Sequence, residues 1–187
     1  MTGSEGLARD RLWEIAATQH GYVTARQAIE LGVTRGALNQ LAFRGTVERA
    51  TRGVYRFPRF PSAPADPYML AVLWTQVPEA VLSHETALDL YDISDINPEV
   101  IHVTVGKNRR IRREDGRQYV VHNQDLMPTQ LSWWEEVPVV TAATAVAQCI
   151  ELGTPTYLLR QALVRGQAEG RLTKLEVGSL LVGIEKR

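Results

Sequence analysis

The sequence has little of several features that define common protein classes. It contains one cysteine, Cys149, among 187 residues, which excludes an intramolecular disulfide and a zinc site built from several cysteines. A single thiol also fits a reducing compartment. No apolar run approaches the roughly 20 residues needed to span a bilayer, and residues 1–11 lack the apolar segment of a secretory signal. We therefore expect a cytoplasmic protein that does not contact membranes.

Motifs for catalysis and for cofactor binding are also lacking. The four histidines, at positions 20, 84, 102 and 122, show no metal-ligand spacing. His102 and His122 are candidates to face each other on paired strands. The other two are His20 and His84. The dipeptide at 106–107 lacks the preceding glycine-rich loop of a nucleotide site, and no Gly-x-Ser-x-Gly elbow is present. Cys149 lies among apolar residues of a predicted helix and reads as an inert buried thiol. We expect no metal, no cofactor and no catalytic residues, hence a protein that is not an enzyme.

Net charge is zero, with 21 basic and 21 acidic residues, but the charge is unevenly distributed. Residues 1–60 hold nine arginines, no lysine and five acidic residues, a formal charge of +4, and the remainder carries −4. Arginine suits phosphate and guanine contacts because its guanidinium group donates two parallel hydrogen bonds. A GC-rich genome, which favours arginine codons, is the alternative explanation.

The first 57 residues predict a winged helix-turn-helix. Apolar spacing indicates a helix over about 7–20, and Thr24 with Gln27 forms a capping-box pattern for a second helix ending at Gly32. Thr34 caps a third helix that ends before Gly45. Two short strands around 50–53 then form the wing. We expect this domain at 1–57, a Pro-rich linker at 58–67, and a C-terminal domain at 68–187.

The third helix divides into a core face and an exposed face. Apolar residues at 37, 38 and 41 point towards the core, so the polar residues on the other side can enter a DNA major groove. The predicted base-reading residues are Arg35, Gly36, Asn39 and Gln40. The predicted phosphate and wing contacts are Thr24, Thr34, Arg44, Arg49, Thr51 and Arg52. The alternative is a solvated polar face on a protein-binding helix.

Four segments resemble the N-terminal domain of the AbiEi-type antitoxins. They are Gly21-Tyr-Val-Thr24, Ala28-Ile-Glu-Leu-Gly32, Leu38-Asn-Gln-Leu41 and Arg52-Gly-Val-Tyr-Arg56. Residues 137–153 resemble the strand and Thr-started helix of that family, but Ala143-Thr144 stands where the family usually has an Arg before the Thr. The resemblance implies a bacterial antitoxin that represses its own operon and counters a neighbouring nucleotidyltransferase-like toxin.

The remainder predicts an α+β fold, with several helices and a small sheet that includes strands near 99–105 and 137–140. Its strongest charge feature is a run of basic residues, comprising Lys107, Arg109, Arg110, Arg112, Arg113 and Arg117. Three interpretations remain open for this run: a second surface for phosphates, a docking site for an acidic face of the toxin, and a solvated hairpin.

Together these features predict an antitoxin that binds double-stranded DNA at its own operator and represses transcription. Two alternatives remain. One is an enzyme that modifies the toxin and uses the winged helix as a scaffold. The other is a ligand-sensing transcriptional regulator unrelated to a toxin.

Overall fold

The computed structural model describes residues 2–113 and 115–187, with side chains from residue 6 onwards. Met1 and Glu114 therefore lie outside the described residues. The chain divides into two compact units: Met1–Pro78 with Glu135–Val137, and Glu79–Trp134 with Pro138–Arg187. The domain boundaries predicted around the Pro-rich segment remain a prediction, because compactness in the folded chain does not show which segment folds by itself.

The first unit has four helices and a three-stranded sheet. In chain order the elements are α1 (Thr2–Ala17), β1 (Tyr22–Thr24), α2 (Ala25–Glu30), α3 (Arg35–Phe43), β2 (Glu48–Thr51), β3 (Val54–Arg56) and α4 (Asp66–Trp74). The strand order is β1-β3-β2, and both pairings are antiparallel. A helix, a short strand, two helices and a two-stranded wing fit the predicted winged helix-turn-helix.

The caps of the short helices are formed by the residues that the sequence indicated. The Thr24 hydroxyl oxygen accepts a hydrogen bond from the backbone N–H of Gln27, and the Gln27 side-chain oxygen accepts one from the backbone N–H of Thr24, which completes a capping box. Thr34 accepts in the same way from Ala37 at the start of α3. Such caps satisfy backbone N–H groups that have no partner inside the helix, so α2 and α3 begin at defined residues.

One hydrophobic core holds the first unit together. Its buried members come from α1, β1, the helix-turn-helix and the wing, and include Leu12, Val23, Leu38, Val47 and Phe57. The Pro-rich segment adds Phe60, whose ring lies 4.5 Å from that of Trp13. Arg56 of β3 also donates a hydrogen bond to the carbonyl of Pro61 and pairs with Asp66 at 3.1 Å. The beginning of the Pro-rich segment is therefore packed against this unit.

The described residues of the second unit form a five-stranded mixed sheet and four helices. Its elements are β4 (Val81–Leu82), α5 (His84–Leu90), β5 (Ile101–Val105), β6 (Tyr119–Asn123), β7 (Leu131–Trp134), β8 (Val137–Val140), α6 (Ala142–Leu152), α7 (Thr156–Ala168) and α8 (Lys174–Glu185), with a short 3-10 turn at Pro128–Gln130. The strand order is β6-β5-β4-β8-β7. The α+β class predicted from the sequence is confirmed, although β4 and β7 were not expected.

The segment between β5 and β6 is not a hairpin, which corrects one of the three interpretations of the basic run. β5 and β6 pair in parallel, with Ile101 opposite Tyr119 and Val105 opposite Asn123. Parallel strands need a connection of about a dozen residues or more, because the chain must return to the end where it started. Residues 106–118 form that connection and contain the basic run.

Candidate nucleic-acid interface

The helix α3 is fixed by one face and exposed on the other. Leu38 and Leu41 are buried in the core of the first unit. The helical period then places Arg35, Asn39 and Gln40 on the exposed side, and Gly36 is exposed beside them. Guanidinium and amide side chains are the groups that form paired hydrogen bonds to guanine and adenine in the major groove. The structure thus brings the four predicted base-reading residues together on one surface.

The last turn of α3 carries an apolar residue on this polar surface. The side chain of Phe43 is 89% exposed, although burying an aromatic ring is normally favourable. An apolar ring can contact the methyl group of thymine in the major groove. Sequence periodicity places this ring outside the core, but the spacing alone did not suggest a role for it.

The predicted phosphate contacts differ in how accessible they are. Thr34, Arg44, Arg49 and Arg52 are exposed, and Thr51 is half-buried. Thr24 is only 6% exposed, and its hydroxyl group is engaged with Gln27. Thr24 therefore lies outside the proposed interface, because its side chain is buried and its hydroxyl group is already hydrogen-bonded within the protein.

A cleft beside the end of α3 brings Arg44 together with two arginines that the sequence did not assign to the interface. It has a volume of about 480 Å³, and its lining includes Arg9, Arg44 and Arg59 together with the ring of Trp13. Arg9 pairs with Asp10 at 2.7 Å, which partly offsets its charge. Arg9 and Arg59 contribute to the arginine excess of the first sixty residues. Their meeting at one cleft follows from the packing of α1 and the Pro-rich segment in this unit.

The basic run of the second unit is exposed but partly paired. Arg109 forms an ion pair with Glu79, and Arg113 pairs with Asp115 at 3.1 Å. The loop is also anchored through its backbone, because Asn123 donates a hydrogen bond of 2.7 Å to the carbonyl of Arg109. The exposed members of the run are Lys107, Arg109, Arg110, Arg112 and Arg117. Arg110 and Arg112 are therefore better probes of this surface than Arg109.

The geometry of the first unit agrees with a comparison against known protein families. Residues 10–58 match the family model described as a transcriptional regulator, AbiEi antitoxin. This match confirms the AbiEi resemblance for the N-terminal region, which contains α2, α3 and the wing. All of the matched residues lie in the first unit.

Two further comparisons concern whole chains. No curated protein matches this sequence. Among solved structures, the Rv2827c protein from Mycobacterium tuberculosis is similar at 16% identity, with a TM-score of 0.42, and the match covers 95% of this chain and 81% of that one. Within the described part of the chain, none of the helices combines the length and the apolar character needed to cross a bilayer.

Proposed function

We propose that this protein is a DNA-binding transcriptional repressor of the AbiEi antitoxin type that acts on its own operator in the bacterial cytoplasm. The observation that carries the proposal is the exposed polar face of α3, whose opposite face is held in the core by Leu38 and Leu41. That helix lies within residues 10–58, which match a family of transcriptional regulators. The protein acts by binding, without catalysis.

Within this proposal, base reading and phosphate binding belong to different residues. Arg35, Asn39 and Gln40 read base edges, because the first residues of a recognition helix are closest to the floor of the groove. Arg44, Arg49 and Arg52 hold the phosphate backbone, and they set the orientation of the helix without reading sequence.

The test is fluorescence anisotropy with the full chain and two labelled duplexes: the region upstream of its own gene, and a scrambled duplex of equal composition. Arg35→Ala is expected to reduce the preference for the upstream duplex by about 1–3 kcal/mol, or roughly 5-fold to 150-fold. Arg49→Ala is expected to weaken binding to both duplexes alike and to lower the salt slope by about one.

The control is Arg160→Ala, which removes the same charge from an exposed position on α7. It is expected to leave the sequence preference unchanged. If the wild-type chain does not distinguish the two duplexes at low salt, or if Arg160→Ala and Arg35→Ala have equal effects, the repressor proposal is wrong.

The antitoxin part of the proposal concerns a nucleotidyltransferase-like toxin as partner. Its test is growth rescue when the full chain is expressed with the product of the neighbouring gene. If a double variant, Arg110→Ala with Arg112→Ala, also rescues growth, neutralisation of the toxin does not require the exposed basic run. Failure of the wild-type chain to rescue growth would favour a ligand-sensing regulator instead.

A further inference from the structure

Three of the four histidines meet in the second unit. His84 begins α5, His102 lies on β5 and His122 lies on β6. Because Thr104 is opposite His122, and His102 is two residues from Thr104, both strand histidines project from the same face of the sheet. One nitrogen from each ring lies within 4.8 Å of the others.

The three rings are stacked closely. The centroids of His84 and His122 are 3.5 Å apart with an interplanar angle of 19°. Nδ1 of His102 lies 2.9 Å from Nε2 of His122. Zn–N bonds of about 2.0–2.1 Å in a tetrahedral site place two ligand nitrogens roughly 3.3 Å apart. The pair formed by His102 and His122 is thus already near the spacing that a bound metal requires.

Burial disfavours the protonated form of each of the three rings. Burial lowers the pKa of His84 to about 3, helped by the neighbouring His122 and His102. Burial likewise lowers the pKa of His122 to about 4, with a contribution from His102. Burial also lowers the pKa of His102, against the opposing effect of Glu85. A neutral imidazole keeps a lone pair on one nitrogen, which is what a metal ion needs.

The outward-facing nitrogens of His102 and His84 lie near polar groups that can orient the rings. Glu85 lies with a carboxylate oxygen 4.0 Å from Nε2 of His102, and the hydroxyl of Thr154 donates a 2.8 Å hydrogen bond to the other oxygen. Nδ1 of His84 lies 2.9 Å from the hydroxyl oxygen of Ser83. Metal-binding histidines commonly hydrogen-bond through their second nitrogen, which orients the ring. Ser83 lies within hydrogen-bond distance of His84, whereas Glu85 at 4.0 Å acts on His102 through its charge. The candidate ligand atoms are therefore Nε2 of His84 and the facing pair formed by Nδ1 of His102 and Nε2 of His122.

The backbone of His84 gives a further indication. Its φ is +51°, a left-handed conformation that is unfavourable for a residue with a Cβ atom. The side chain of Gln148 accepts a 3.2 Å hydrogen bond from the His84 backbone N–H. Such conformations persist where the surroundings enforce them, and they concentrate at functional sites.

We propose that His84, His102 and His122 form a binding site for a divalent transition-metal ion of the Zn²⁺ class. The bound ion would link the start of α5 to the neighbouring strands β5 and β6. It would replace the hydrogen bond between His102 and His122, and the ring that donated this bond would carry its proton on its other nitrogen. This site goes beyond the proposed DNA-binding function and belongs entirely to the second unit.

The direct test is a competition titration of the metal-free full chain with Zn²⁺ and a chromophoric chelator. The wild-type chain is expected to bind one Zn²⁺ ion per molecule. His122→Gln is expected to weaken binding by more than roughly 10-fold, because even the loss of an outer partner of a metal ligand weakens binding 10-fold to 100-fold. His122 is the most exposed of the three rings, so this variant is the least disruptive.

The matched control is His20→Gln, which makes the same change at the fourth histidine, in the first unit. It is expected to retain wild-type affinity. A second measurement does not depend on any variant: Zn²⁺ should raise the unfolding midpoint of the wild-type chain, whereas Mg²⁺, which prefers oxygen ligands, should not. Absence of stoichiometric Zn²⁺ binding by the wild-type chain, or equal affinity of His122→Gln and His20→Gln, would overturn the proposal.

Discussion

Replacing Gly21 by alanine tests how tightly the Pro-rich segment packs on the first unit. Gly21 has a φ of +85°, and a Cβ atom there would lie 2.7 Å from Cβ and 2.8 Å from Cγ of Phe60. The residue cannot move freely, since its N–H donates to Ala16 and its carbonyl accepts from Phe57, at 2.8 and 2.9 Å. Gly21→Ala should therefore both strain the backbone and force Phe60 away.

Two costs add in this variant. The left-handed conformation costs alanine roughly 1–2 kcal/mol, and overpacking of a tight contact costs about 1–3 kcal/mol. We expect the free energy of unfolding to fall by about 2–5 kcal/mol. Gly32→Ala separates the two costs, because Gly32 has a φ of +78° with no heavy atom within 4 Å of the added Cβ. Only the backbone cost of about 1–2 kcal/mol applies there.

The measurement is equilibrium urea unfolding of the three full-length proteins, followed by tryptophan fluorescence. Trp13 is a suitable reporter because its ring lies 4.5 Å from that of Phe60. We expect Gly21→Ala to be less stable than Gly32→Ala by about 1–3 kcal/mol, the overpacking contribution alone. A difference below about 0.5 kcal/mol, the usual range of uneventful substitutions, would refute the close packing of Phe60 on Gly21.

Two further predictions concern single residues. Thr24→Ala should lower the free energy of unfolding by about 1 kcal/mol, because the capping box is lost. Under conditions where the protein is folded, the variant should bind DNA with unchanged affinity. A uniform loss of affinity, measured by anisotropy, would show that Thr24 does contact the phosphate backbone. Cys149 is fully buried, and burial is the main reason that its thiol pKa is raised to about 12. The folded chain should therefore not react with a thiol reagent at neutral pH. In denaturant, the chain should react with one equivalent of the reagent.

Much of the first unit was predictable because its signals are local. Thr24 and Thr34 cap helices that begin at the next residue, and Gly53 with a φ of +77° closes the wing. Each of these assignments depends on residues within one turn of the chain. The exposed face of α3 was predictable for the same reason, since the 3.6-residue period assigns Leu38 and Asn39 to opposite faces.

The second unit was harder to predict because its pairing is not local. The sequence predicts a strand near 99–105 and then the basic run, but it does not say whether the chain that follows runs parallel or antiparallel to that strand. The register of β5 and β6 decides that question, and it also decides that His102 and His122 share a face. The dipeptide β4 is too short to carry any periodic signal.

The sequence by itself determined the helix caps, the exposed face of α3, the separation of charge along the chain and the AbiEi resemblance of residues 20–57, because each depends on neighbouring residues. Only the tertiary structure decided that Thr24 is buried, that Arg9, Arg44 and Arg59 line one cleft, and that His84, His102 and His122 meet. Those outcomes depend on how separate elements pack, and the spacing of residues along a chain does not encode the distance between them in the fold.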